Sequence, residues 1–349
     1  MQFSPSAPSP FGIHRVIEPQ GVLPQGAWKI SNAMEIADNE ILIDVSALNI
    51  DSASFTQIKK EAGGDPARIE AAVRGIVEQR GKMHNPVTGS GGMLIGSVAQ
   101  IGAALAGKID LQVGDKIATL VSLSLTPLRI DAVKKIHVEK DQIEISGRAV
   151  LFETGLYAKL PTDIPENVAL AILDVAGAPA QTARLVQAGD TVVVIGGGGK
   201  SGTLCVYEAK KRVGPNGLVI GVSPFAKDCE RMREHGWVDH ALQVDATNAV
   251  ALMEAVSAVT GGRMADVVIN CVNIQNTEMG SILATRDGGK IYFFSMATSF
   301  TAAALGAEGV GKDIEMIVGN GYAKGHAAFS LALLRESPRL RQLFEELYV

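Results

Sequence analysis

Two glycine-rich stretches hold the residue types that do chemistry. RGKMHNPVTGSGGMLIG, residues 80–96, sets Arg80, Lys82, His84, Asn85 and Ser90 among glycines before closing on an apolar run. A histidine titrates near neutrality, ~6.5 when unperturbed, which suits proton transfer. A guanidinium or ammonium beside it suits a carboxylate ligand. The competing reading is a plain crossing between strands, with solvated cations and a histidine bonded to loop backbone. The second stretch, TVVVIGGGGKSG, places Gly197, Gly199 and Gly202 in G-x-G-x-x-G spacing between an apolar run and a helical one. The first glycine serves a tight turn and the second a close approach to a pyrophosphate. The third lets helix pack on strand, while the amides at Lys200 and Ser201 open the helix toward the anion. In this context the spacing predicts dinucleotide binding, with a structural glycine turn as the alternative.

Those residues need elements to hold them. Residues 1 to about 30 read as extended and irregular. EILIDVSALNI (40–50) alternates like a strand with one wet face, and DPARIEAAVRGIVEQRG opens on Asp65-Pro66, a helix cap followed by proline at the first helical position. GMLIGSVAQIG and GDKIATLVSLSLTPLRI read as strands, so residues 1–160 form a mainly β domain. Beyond it, apolar strands alternate with helices, which predicts an α/β doubly wound parallel sheet over 161–320. In that stretch TEMGSILATRDGG reads as a helix. A helical segment, 321–349, is expected to pack back at the domain junction.

Composition narrows the function. Lys plus Arg is 32 against Asp plus Glu 37, and a net charge of −5 lacks the basic face that nucleic acid requires. The three cysteines, Cys205, Cys229 and Cys271, are too scattered for a disulfide framework. The Pro/Ser-rich start has no signal-peptide pattern, and no apolar run is long enough for a bilayer, so we expect a cytoplasmic protein. An acid normally stands about 20 residues beyond the glycine loop to hold the ribose. Here GVSPFAK puts Ser223 at that place with Lys227 behind it, which leaves NADP possible beside NAD. Asp245 in QVDAT is expected at the adenine edge or in an ordinary turn.

The order of a β-rich unit and a dinucleotide fold resembles the medium-chain dehydrogenase/reductases, whose first domain is GroES-like. HRVIEPQGVLPQ, LNIDSASF, RGKMHNPVTGSGGMLIG and LYAKLPTDIP more narrowly resemble the L-erythro-3,5-diaminohexanoate dehydrogenases of lysine fermentation. The resemblance covers nearly the whole chain. It implies NAD-dependent oxidative deamination of a diamino acid at carbon 3, giving 5-amino-3-oxohexanoate and ammonium, by a homodimer. The broader layout alone equally allows a zinc-free NADPH-dependent enoyl or quinone reductase. A non-catalytic dinucleotide sensor is a third reading.

The resemblance also distributes roles. Zinc-dependent relatives carry a ligand histidine where this sequence has Ser90, and cysteines where NIDSAS and DVAGA have none. Three protein ligands are therefore missing and metal-free chemistry is expected. His84, Glu153 and Asp174 are the candidate bases, Asp174 with a buried structural acceptor as its alternative. Arg80 or Lys82 would take the substrate carboxylate, Asn85 would bond the amino acid, and Asp51, Ser52 and Ser54 would lie on a turn lining the cleft. Asn273 and Ser295 would end strands beside the nicotinamide. Residues 80–92 would then face that ring across the cleft between the domains.

Overall fold

The computed structural model describes residues 8–295, 297–319 and 321–349. Met296, which closes the FFSM motif, lies outside the described residues. The chain divides into two compact units between Thr162 and Asp163.

In the first unit a short ribbon, β1 (Val16–Glu18) with β2 (Lys29–Ile30), precedes a longer strand, β3 (Glu40–Asn49). Two helices follow, α1 (Ser52–Glu61) and α2 (Pro66–Arg80). Then come β4 (Met93–Ile101), β5 (Lys116–Thr119), β6 (Leu128–His137), β7 (Gln142–Phe152) and β8 (Tyr157–Lys159). Six strands pair antiparallel in the order β6-β7-β3-β4-β5-β8. β3 departs from the expected alternation, because Glu40 to Ile43 are all buried. It is a central strand, and Leu42 packs with Met34 and Val150 on a second small apolar cluster that covers its other face. Glu40 is fastened there by Arg15, with two contacts of 2.6 Å. Burial would raise its carboxyl pKa, but bonds from Arg15, the Ala37 amide and His14 outweigh that and hold it below the usual range.

Helix α2 starts as its sequence dictates, with the Asp65 side chain accepting from Ala67 N and Pro66 in the first turn. Ile69, Val73 and Val77 are its buried stripe, whereas Ala72 faces solvent. A turn was expected at residues 51–54, yet these open α1: the Asp51 side chain accepts from Ser54 N, and the helix runs on to Glu61.

The second unit begins with α3 (Glu166–Asp174) and α4 (Gly177–Leu185). Strands β9 (Thr191–Ile195), β10 (Leu218–Ser223), β11 (His240–Gln243), β12 (Ala265–Asn270), β13 (Thr285–Phe293) and β14 (Glu315–Val318) make one parallel sheet, ordered β11-β10-β9-β12-β13-β14. The intervening helices are α5 (Lys200–Val213), α6 (Ala226–His235), α7 (Ala249–Thr260), α8 (Glu278–Ala284) and α9 (Phe300–Val310). Every residue of β9 is buried, as a central parallel strand covered on both faces requires. TEMGSILATRDGG is helical only to Ala284, since Thr285 already pairs with Ala265 in the sheet. The closing helices α10 (His326–Glu336) and α11 (Pro338–Tyr348) pack on α3, and α10 also on α4, where Ser330 Oγ donates to Ala176 O at 2.8 Å. Among the described residues no helix is long and apolar enough to cross a membrane.

Candidate active site

Strand order reverses between β9 and β12, and in open parallel sheets such a switch point, at the carboxyl edge, is where ligands bind. The glycine loop lies there. Gly196 turns the chain after β9 with φ 82°, and Gly199 begins α5 with no side chain capping it. A Cβ on Gly202 would come within 1.9 Å of Gly196 O, so helix and strand touch through that glycine. A Cβ on Gly197 would meet Met232 Sδ at 2.7 Å. On Gly199 it would meet nothing nearer than Gly196 O at 3.4 Å, so this side of the loop opens outward. An uncapped helix start behind an open glycine surface fits a dinucleotide pyrophosphate.

The other cofactor candidates share that edge, because each follows a parallel strand. Ser201 is buried in the first turn of α5, and Lys200 Nζ sits 2.7 Å from Asp174 Oδ2 and over the Tyr348 ring. Asp174 is thereby corrected: it ends the apolar α3 but is 55% exposed and ion-paired, neither a buried acceptor nor an isolated base. Its place is beside the glycine loop. Asp245 Oδ1 accepts from Thr247 N and Oγ1, the ordinary strand-end turn. Asn273 is exposed beyond β12, and Ser295, beyond β13, uses its hydroxyl on Ala297 N. Ser223 is 2% exposed and donates to Asp228 Oδ2 at 2.8 Å. Asp228 Oδ1 in turn accepts from Arg231, which also donates to Gly198 O. The acid expected at the end of β10 is absent there, and the carboxylate that meets Ser223 comes instead from Asp228. The signal was present in SPFAKDCER, whose acid falls in the first turn of α6.

In the first unit, residues 80–92 pack on the start of α1. A Cβ on Gly92, at φ 91°, would lie 2.0 Å from Asn49 O, and only glycine allows that approach. Asn85 is fully buried: its amide nitrogen donates to Gln57 Oε1 at 2.8 Å and to Ser54 O, and its oxygen accepts from Val87 N and Thr88 N. These bonds occupy its amide and brace the loop against α1. Ser54 is likewise buried and bonded to Thr88, while Ser52 donates to Asp141 on the surface. Ser90 is half-buried, its carbonyl accepting from Asn85 N.

The charged residues of the stretch depart from expectation. Lys82 is 0% exposed, and its Nζ donates to Pro24 O at 2.6 Å and Gln25 O at 3.4 Å. It is neither a solvated cation nor free to hold a carboxylate. Burial first, then the charge of Arg80, brings it down to about 8. Arg80 is half-buried, donates to His84 O at 3.0 Å and lies over the Trp28 ring. Burial, Lys82 and Arg80, in that order, bring His84 down to about 4, well away from the neutral titration expected of it. His84 Nδ1 and Asp51 Oδ2 are buried without a hydrogen-bond partner among the described residues. Unsatisfied buried polar atoms of this kind ask for a ligand or water.

Glu153 is elsewhere. It is exposed after β7 and accepts from Asn39 at 3.1 Å, beside the Glu40 end of β3. The 80–92 segment adjoins the Asn49 end, about 30 Å away along the strand at about 3.3 Å per residue. Among the described residues no group of three or more His, Cys, Asp or Glu side chains is placed to hold a metal ion.

Solved structures share the fold at low identity. A mycobacterial protein complexed with NADPH aligns at TM-score 0.55 and 16% identity over 88% of this chain and 83% of its own. CurK enoyl reductase aligns at TM-score 0.52 and 14% identity, over 95% and 85%. The fold is therefore the medium-chain dehydrogenase/reductase type, a GroES-like unit with a Rossmann-type sheet. Sequence relatives are far nearer. The family described as L-erythro-3,5-diaminohexanoate dehydrogenase N-terminal domain matches residues 14–161. The L-erythro-3,5-diaminohexanoate dehydrogenase of Acetoanaerobium sticklandii is 61% identical over 97% of this chain and 98% of its own. That of Fusobacterium nucleatum subsp. nucleatum is 60% identical over the same shares. With glycine loop, orphaned polar atoms and full-length similarity together, the chain belongs to the L-erythro-3,5-diaminohexanoate dehydrogenase family.

Proposed function

We propose that this chain oxidatively deaminates L-erythro-3,5-diaminohexanoate at carbon 3, with NAD as oxidant. The observation that carries the reading is 61% identity to an enzyme of that name along almost its entire length. The balanced reaction consumes water and NAD, and releases 5-amino-3-oxohexanoate, ammonium, NADH and a proton. Bound at the glycine loop, the nicotinamide would accept the hydride that leaves carbon 3.

The chain's own residues prepare the substrate. The carbon 3 amine must be neutral, because its lone pair drives hydride departure to the iminium that water then hydrolyses. His84 is uncharged above about pH 4, so its unused Nδ1 is a site to accept a hydrogen bond from the carbon 3 amine, whose proton leaves to solvent. Asp51 Oδ2 is the second unpaired acceptor, suited to the other ammonium group. Arg80 keeps a guanidinium for the carboxylate, while Lys82 and Asn85 hold the loop. The same reading carries lysine fermentation as setting, the cytoplasm as location and a homodimer as assembly.

The test is purified protein with NAD and the diamino acid, following reduced cofactor and released ammonium together. Equimolar formation of both supports the proposal. Cofactor binding without ammonium, or turnover only with NADPH and a quinone or enoyl substrate, refutes it.

A further inference from the structure

We infer that Asp228, displaced from the strand end into the first turn of α6, is the acid that selects the cofactor's ribose, and that its ion pair with Arg231 sets the preference for NAD. The inference rests on dinucleotide binding at the glycine loop. Three observations carry it. Asp228 lies against the loop, since a Cβ on Gly198 would fall 2.4 Å from its Cβ and Cγ. Ser223, at the strand position where an acid is normally found, donates to Asp228 Oδ2 at 2.8 Å and so holds the carboxylate in its own stead. Arg231 Nη2 donates both to Asp228 Oδ1 at 2.8 Å and to the Gly198 carbonyl, so one corner of the guanidinium is anchored and its charge is paired with the carboxylate.

The chemistry follows from lone pairs and charge. An ionised carboxylate has about four acceptor sites, and the bonds from Ser223 and Arg231 use two. The remainder can accept the ribose hydroxyls of NAD. A 2′-phosphate at the same place would meet the carboxylate, and the cation that touches that carboxylate, Arg231, already has its charge paired with it. Without the carboxylate, Arg231 becomes a phosphate-binding fork. Asp228 thus both receives NAD and restrains the residue that would receive NADP.

The experiment uses the intact protein and needs no turnover. Calorimetry compares 5′-AMP with adenosine 2′,5′-bisphosphate, and NAD with NADP, for wild type, Asp228→Asn and the double variant Asp228→Asn/Arg231→Gln. Wild type is expected to prefer the ligands without the 2′-phosphate. Asp228→Asn keeps a bond for Ser223 and should move the preference ratio toward the 2′-phosphate ligands by roughly ten- to hundredfold, the range of one charge-assisted bond. The double variant should lose that gain. A wild-type preference for the bisphosphate, or a ratio unmoved in Asp228→Asn, overturns the inference while leaving dinucleotide binding intact. Should Asp228→Asn not fold, Arg231→Gln alone must leave wild type's small affinity for the bisphosphate unchanged, because Asp228 already pairs the guanidinium's charge. A drop of tenfold would overturn the inference. Wild type binding neither NAD nor NADP removes the underlying cofactor reading as well.

Discussion

Replacing Lys82 by methionine tests whether this lysine is a buried structural cation. Its ammonium is fully buried and bonded only to backbone carbonyls of Pro24 and Gln25, and its pKa falls from 10.5 to about 8. At 1.36 kcal/mol per pKa unit, the protonated form carries a penalty of about 3 kcal/mol relative to the unfolded chain. Below pH 8 both states hold the proton, so the penalty is constant. Between pH 8 and 10.5 the native state releases it while the unfolded chain keeps it, and stability rises with pH. By pH 10 that rise should reach about 2.5 kcal/mol. Lys82→Met keeps the bulk and abolishes the titration. At pH 7, relief of the buried charge offsets two lost bonds to carbonyls, each worth ~1.5–3 kcal/mol when the donor is charged, so the variant should lie within about 3 kcal/mol of wild type. The assay is urea unfolding from pH 7 to 10. The two tryptophans, Trp28 and Trp237, fall one in each unit. A Trp237→Phe background therefore leaves Trp28, which stacks with Arg80, as the fluorescent reporter of the first unit. A wild-type-minus-variant difference that stays flat across pH 8 to 10 would refute the argument.

His84→Ala should lower kcat/KM by roughly three- to tenfold, the share of one hydrogen bond to the amine. With its pKa at about 4, His84 should leave kcat/KM without an acid limb of its own between pH 5 and 8. A wild-type limb near 6.5 that disappears in the variant would contradict the electrostatics. Gly199→Val should fold normally, because its Cβ has room, yet lose NAD affinity measured by calorimetry. Gly202→Val should instead unfold at markedly lower temperature in circular dichroism, since its Cβ would strike Gly196 O; equal melting of both variants would count against the loop geometry. Exhaustive chelation should leave turnover intact. A requirement for stoichiometric zinc would overturn the reasoning from Ser90 and the absent cysteines.

What the sequence determined by itself was whatever a few neighbouring residues encode. Asp65-Pro66 announced α2, an unbroken apolar TVVVI announced a central parallel strand, and GGGGKSG announced the turn between strand and helix, because caps, periodicity and glycine act over one or two turns of chain. The same locality misled where two readings share a composition: DSAS, residues 51–54, looked like a turn, yet Asp51 caps a full helix there. Burial and partnership belonged to the tertiary structure. Lys82 is dry because a loop 58 residues earlier brings two carbonyls to it, and His84 is held uncharged by burial and by cations that this enclosure fixes beside it. Glu153 parted from the polar loop because β3 runs between them, and Asp174 turned outward to Lys200 at the end of an otherwise buried helix. Asp228 and Arg231 reached Gly198 only because α6 folds back along β10. A side chain's type is written in the chain, but its charge state and reach depend on the solvent and partners that remain after distant segments have packed around it.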